Sequence, residues 1–187
     1  MLTYKQFLQE SFHPLSYTAE KAYDYFQHNW RIWHDSKVPG RLKKILEDKI
    51  KTSPHYAWLY ASDFLQRRWP EAEPIIAADG SSAYCYAKNL IGKRWPEGEG
   101  AIIQNGYIHE YSLWLKQIST EQDRRKWLAQ GVTKNLVTIF NYMEWMPKRI
   151  QEYIISKRPD LIGEIWELDP ELKAKYSHEY ELGQVDL

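Results

Sequence analysis

Apolar residues recur along most of the chain at intervals of three and four, the spacing that gathers side chains on one face of an α-helix. Alternation of period two is nearly absent, so the pattern predicts an all-α fold. Thr18 precedes a segment in which Ala22, Tyr25, Phe26, Trp30 and Trp33 share a face. Pro39-Gly40 interrupts it, and residues 41–51 resume with a stripe of Leu42, Ile45, Leu46 and Ile50. Ser53-Pro54 reads as the next helix start: serine accepts from the orphan first amides, and proline sits where no donor is needed. That helix is predicted to run to Arg67.

Beyond it the chain repeats itself. Residues 64–80, FLQRRWPEAEPIIAADG, return as residues 90–106, LIGKRWPEGEGAIIQNG, 26 positions later. Upstream, Ala57, Tyr60 and Ala61 return as Ala83, Tyr86 and Ala87. Each unit reads as a long helix, a Trp-Pro corner, an acidic helix start, a short apolar turn and an Asp/Asn-Gly stop. The residue before proline avoids helical torsions, so Trp69-Pro70 and Trp95-Pro96 should turn the chain. Pro74 restricts the first short helix to one or two turns. Gly80 and Gly106 are expected to stop each unit in a left-handed conformation. Tyr60 and Tyr86 would fill the seam between neighbouring long helices, their hydroxyls reaching polar partners.

A period between 20 and 50 residues marks stacked supersecondary units. The expectation is a short, right-stacked, solenoid-like array of alternating long and short helices with a helical C-terminal part. Three regions follow: N-terminal helices over 1–52, repeat units over 53–118, and C-terminal helices over 119–187, joined as one continuous domain. In the last region Ser119 and Gln122 form a capping-box pattern. A long helix follows with a kink expected at Pro147. Lys157-Arg158, Pro159-Asp160 and Asp169-Pro170 give a weak echo of the repeat.

Composition narrows the function classes. Nine Trp and fourteen Tyr in 187 residues supply ample ring area for a core, which argues against disorder. Twenty-five basic and twenty-five acidic residues leave a formal charge of zero, so no basic excess points to wholesale nucleic-acid or membrane binding. The single cysteine, Cys85, excludes an internal disulfide and a Cys-x-x-Cys metal site and suits a reducing compartment. No apolar run has the length of a membrane span, and the N-terminus lacks the pattern of a secretory signal.

The search for chemistry yields little. The six histidines fall in no HExxH or Cys/His spacing, and no phosphate-cradling glycine loop or nucleophile elbow occurs. No cofactor, metal or catalytic residue is expected. The basic runs are the remaining candidates for binding: Arg67-Arg68, Lys93-Arg94, Arg124-Arg125 and Lys157-Arg158. On one face they would form a cationic ridge beside tryptophans, suited to nucleic acid or to sequestration of a small nucleotide. Glu71, Glu73, Glu97 and Glu99 follow the first two doublets closely, a pattern that also makes local ion pairs on a solvated face.

The phrase RWPEAEPIIA, with the AYCYA segment after it, resembles a short repeat found in proteins of large tailed phages and other large DNA viruses. The match is densest over residues 53–106. The resemblance implies a helical repeat of viral provenance and carries no general enzymatic activity. Residues 1–10, MLTYKQFLQE, resemble the capsid-targeting start of internal head proteins of T-even-type phages. There, an aromatic-rich decapeptide is cut after a terminal Leu/Ile-x-Glu, matched here by Leu8-Gln9-Glu10. Leu2 stands where that pattern has Lys. Together the resemblances imply a non-enzymatic phage protein that binds and modulates a host bacterial protein, a counter-defence role among the options. Its location would be the host cytoplasm or the virion interior, with Glu10 as the processing site.

Overall fold

In the computed structural model of the chain, residues 16–34, 40–129, 135–136 and 138–139 are described. Among them every regular element is helical and no strand occurs. The chain divides into two compact units, Met1–Ala101 and Ile102–Leu187.

In the first unit, α1 (Ala19–His34) and α2 (Gly40–Ile50) pack against each other. Ala22, Tyr23, Tyr25 and Phe26 of α1 and Leu42, Leu46 and Ile50 of α2 are buried. The side chains of Trp30 and Trp33 lie outside the described residues. Helix α3 (Pro54–Tyr60) continues into a π-helical turn over Ala61–Leu65, and Gln66 stops it in the left-handed region at φ 50°. The helix therefore ends before Arg67. After the corner comes α4 (Glu73–Ile76), a single turn. Next, α5 (Gly80–Tyr86) and the π-helical turn Ala87–Ile91 repeat the arrangement of α3 and its extension. Here Gly92 takes the left-handed position, at φ 67°. Helices α3 and α5 pack together, as do the two π-helical turns.

The expected glycine stop fails at Gly80, which opens α5 with ordinary torsions. Asp79 before it is the N-cap: its carboxylate accepts from the Ser82 amide at 3.1 Å, satisfying one orphan donor. Ser53 holds the same extended backbone before α3, yet its side chain makes no capping bond. Gly106 does adopt the left-handed conformation, at φ 80°.

The repeat also reaches further upstream than its consensus. Leu46, Glu47, Ile50 and Ser53 occupy the places of Ala72, Glu73, Ile76 and Asp79, and then of Gly98, Glu99, Ile102 and Asn105. Ile50, Ile76 and Ile102 are all fully buried. Helix α2 thus stands as the short helix of an earlier half-unit, in which charged residues replace the Trp-Pro corner.

Helix α6 (Pro96–Gln104) carries the chain from the first compact unit into the second. In the second unit, α7 (Ile108–Ile118) buries Ile108, Tyr111, Ser112, Trp114 and Leu115. Its end and the start of α8 (Glu121–Ala129) revise the expected capping box by one position. The Asp123 amide donates to Thr120 Oγ1 at 3.1 Å, and the Thr120 amide donates back to Asp123 Oδ2 at 2.8 Å. Ser119 instead ends α7 in an extended conformation. This reciprocal bonding needs a hydroxyl and an acid three apart, which the 120/123 pair supplies as well as the 119/122 pair does. Pro147, the segment 155–176 and the sequence after it lie outside the described residues.

Candidate functional site

The two Trp-Pro corners of the first compact unit hold the sequence-predicted residues. Each corner begins where the preceding helix is stopped by a left-handed residue, Gln66 or Gly92. Two cations follow, and the structure gives them different work.

The second cation of each doublet folds back over the corner. Arg68 donates from Nε and Nη2 to the two oxygens of Glu73 at 2.8 and 2.7 Å. Arg94 holds Glu99 in the same bidentate way at 2.7 and 2.9 Å. A planar guanidinium matches a carboxylate at two points, which gives direction as well as charge pairing. The pairs differ in depth. Side-chain exposure is 47% for Arg68 and 16% for Glu73, but 8% for Arg94 and 1% for Glu99. The hydrogen bonds from Arg68 hold the Glu73 carboxyl below its usual range, and the Tyr86 hydroxyl adds to the effect.

The tyrosines tie one unit to the one before. Tyr60 donates to Glu47 at 2.8 Å, and Tyr86 donates to Glu73 at 3.0 Å, a step of 13 residues in both cases. Tyr86 does more: its hydroxyl also accepts from the Trp69 amide at 2.6 Å, inside the corner. Burial pushes the Tyr86 hydroxyl up to about 12, and raises Tyr60 further still. Trp69 and Trp95 are buried, and each packs on its unit's tyrosine at ring separations of 5.1 and 5.3 Å. Tyr60, Trp69, Tyr86 and Trp95 therefore sit in the core of the corners, and their faces are closed to a stacking base.

The first cation of each doublet remains outside. Arg67 and Lys93 are exposed, as are Pro70 and Pro96 and the acids Glu71 and Glu97. Among the described residues, Arg67, Lys93, Glu71 and Glu97 make no ion pair. The acids following the doublets thus split in two: Glu73 and Glu99 form the local pairs that their spacing suggested, and Glu71 and Glu97 do not.

The remaining candidates do not join this site. Arg124 is buried in the second compact unit, its Nη1 donating to the Ser119 carbonyl at 3.2 Å and to Ser119 Oγ at 3.1 Å. The side chain of Arg125, the doublet Lys157-Arg158 and the processing position Glu10 lie outside the described residues. Cys85 is half-buried, and burial raises its thiol above the ordinary value, the opposite of an activated nucleophile. Among the described residues no three metal-ligating side chains cluster, and no helix is long and apolar enough to cross a membrane.

Sequence reasoning overlooked Gln66, Glu47 and the division of labour within the doublets. One signal for the last was present: Arg68 to Glu73 and Arg94 to Glu99 share a spacing of five across a Trp-Pro corner. No protein-family model, no curated protein and no solved structure matches the chain.

Proposed function

We propose that the chain is a non-enzymatic interaction protein whose stacked corners form its binding surface. One observation carries the reading: each cationic doublet divides into an inner arginine used by the fold and an outer cation left exposed, at equivalent positions of two packed units. A corner braced by a bidentate ion pair, a buried tryptophan and a tyrosine from the next helix is ordered before any partner arrives. Such preorganisation lowers the ordering cost of association. Stacked helical units commonly present extended surfaces of this kind to other proteins.

The resemblance to repeats of large tailed phages supports a host bacterial protein as partner, modulated or inhibited by this chain in the host cytoplasm as a counter-defence step. The resemblance of residues 1–10 to capsid-targeting segments supports a packaged form cut after Glu10. Nucleic acid and a small nucleotide are the second reading. They receive less support from the corners, because the inner cations are committed and the tryptophans are buried.

The test is affinity capture from bacterial lysate at near-physiological salt with the intact chain and its R67A/K93A variant. A partner retained by the intact chain and lost by the variant supports the proposal. Equal retention by both removes the corners from the binding surface.

A further inference from the structure

The outer residues of the two corners follow one order: cation, exposed proline, acid. Arg67, Pro70 and Glu71 form the first set, and Lys93, Pro96 and Glu97 the second. The inner residues between them are committed to the clamp and the core, so these are the positions left to meet another molecule. The corners also lie close enough for Glu97 to act electrostatically on Arg68 of the preceding corner. Units whose helices pack stand about 8–10 Å apart. The exposed charges therefore fall into two rows, one of cations and one of acids, on either side of a proline rib.

Two rows of opposite sign discriminate between partners. A polyanion placed along Arg67 and Lys93 meets Glu71 and Glu97 beside it, and juxtaposed like charges cost several kcal/mol in recognition. A small domain's charged surface normally gains little from such residues, since exposed pairs contribute about 0–1 kcal/mol each. Here the charges are left unpaired with each other on a braced backbone. Complementary rows on a partner would set register and suppress wrong partners.

We infer that the corner ridge is a docking surface for a polypeptide of mixed charge, with acids facing Arg67 and Lys93 and cations facing Glu71 and Glu97. This rests on the proposed protein-binding role and narrows it to a partner class. A nucleic acid, or a purely acidic tail, does not fit.

Four baits decide it: the intact chain, R67E/K93E, E71K/E97K and the charge-conserving R67K/K93R, each confirmed folded by circular dichroism. They are presented to nuclease-treated bacterial lysate and, separately, to a single-stranded oligonucleotide. The expected result is capture of the same protein by the intact chain and by R67K/K93R. Both charge reversals should then reduce that capture about tenfold or more, the scale of about 1.4 kcal/mol. If either reversal leaves capture unchanged, the two-row surface is wrong while the protein-binding role stands. If E71K/E97K raises capture or creates tight oligonucleotide binding, the ridge is a polyanion site and the inference falls. If the intact chain retains no protein, the protein-binding role itself fails and takes this inference with it.

Discussion

The two corners use nearly the same words and differ in depth. In the earlier corner residues 70–72 form turns and helix begins only at Glu73. In the later one Pro96 already opens the helix. The cause is local: Pro74 has no amide to give, whereas its counterpart Gly100 does. Starting the helix earlier draws Glu99 inside and leaves Gly98 beneath the Trp95 ring. A β-carbon at Gly98 would lie 2.7 Å from Trp95 Cε3 and 3.1 Å from the Ala83 β-carbon. The earlier corner keeps Ala72, fully buried, at the same place. One substitution in the short helix thus converts a wet clamp into a dry one, and the surrounding small residues change with it.

The comparison can be broken most forcefully at the inner arginines. Arg94→Ala leaves Glu99 buried without its bidentate partner and should cost about 3–5 kcal/mol in chemical denaturation. Arg68→Ala, at the half-open clamp, should cost about 1 kcal/mol. Equal losses would mean that depth is not what separates the corners.

Gly98→Ala tests the same difference sterically. Overpacking against the buried Trp95 ring should cost about 1–3 kcal/mol, read from the denaturation midpoint. Ala72→Gly in the earlier corner should cost less, through backbone entropy and a small lost contact, about 1 kcal/mol.

The tyrosines sharpen the contrast between units. Tyr86→Phe strands the Trp69 amide and removes a bond to Glu73, for about 1–3 kcal/mol. Tyr60→Phe removes one bond to Glu47 and should cost about 1 kcal/mol.

Titration gives the matching pH limbs. Tyr86 is raised in the fold, so the stability it contributes is intact below the ordinary tyrosine value near 10. It is lost as pH rises toward about 12, and Tyr86→Phe should flatten that alkaline limb. Glu73 is lowered in the fold, so its contribution is present above the ordinary carboxyl value. It is lost as pH falls through the depressed one, and Arg68→Ala should flatten the acid limb. Stability measured across pH for the three proteins checks both directions.

The smallest effect lies at the helix stops. Gln66 bears a side chain where Gly92 has none, in a region that disfavours L-residues by about 1–2 kcal/mol. Gln66→Gly should raise stability by up to about 1 kcal/mol after glycine's entropic cost, and Gly92→Ala should lower it by about 1 kcal/mol.

Helical class and the corners were legible in the sequence because both are written in local residues. Periodicity places α1 to α5, and proline with its preceding residue restricts the backbone at 69–70 and 95–96 whatever lies nearby. The doublets were legible only as charge. Which member turns inward depends on where the helix stops, and that was hidden in Gln66, a residue with no preference for the left-handed region. The stop expected at Gly80 failed for the converse reason: Asp79 gains more as a cap for the next helix than Gly80 does as an end to the last. The half-unit at 40–53 escaped notice because its resemblance rests on Glu47, Ile50 and a capping position, too few residues to stand out before their burial is known.

The Tyr86 hydroxyl has a consequence for how such a chain can be cut or extended. It completes the Trp69 corner from the following helix, so a unit finishes its predecessor rather than itself. A fragment ending at residue 79 would hold every residue of the first corner and still leave its amide waiting. Lineages that gain or lose units of this kind must therefore do so with a successor attached. The terminal unit of any array so built has to close its own corner by another route.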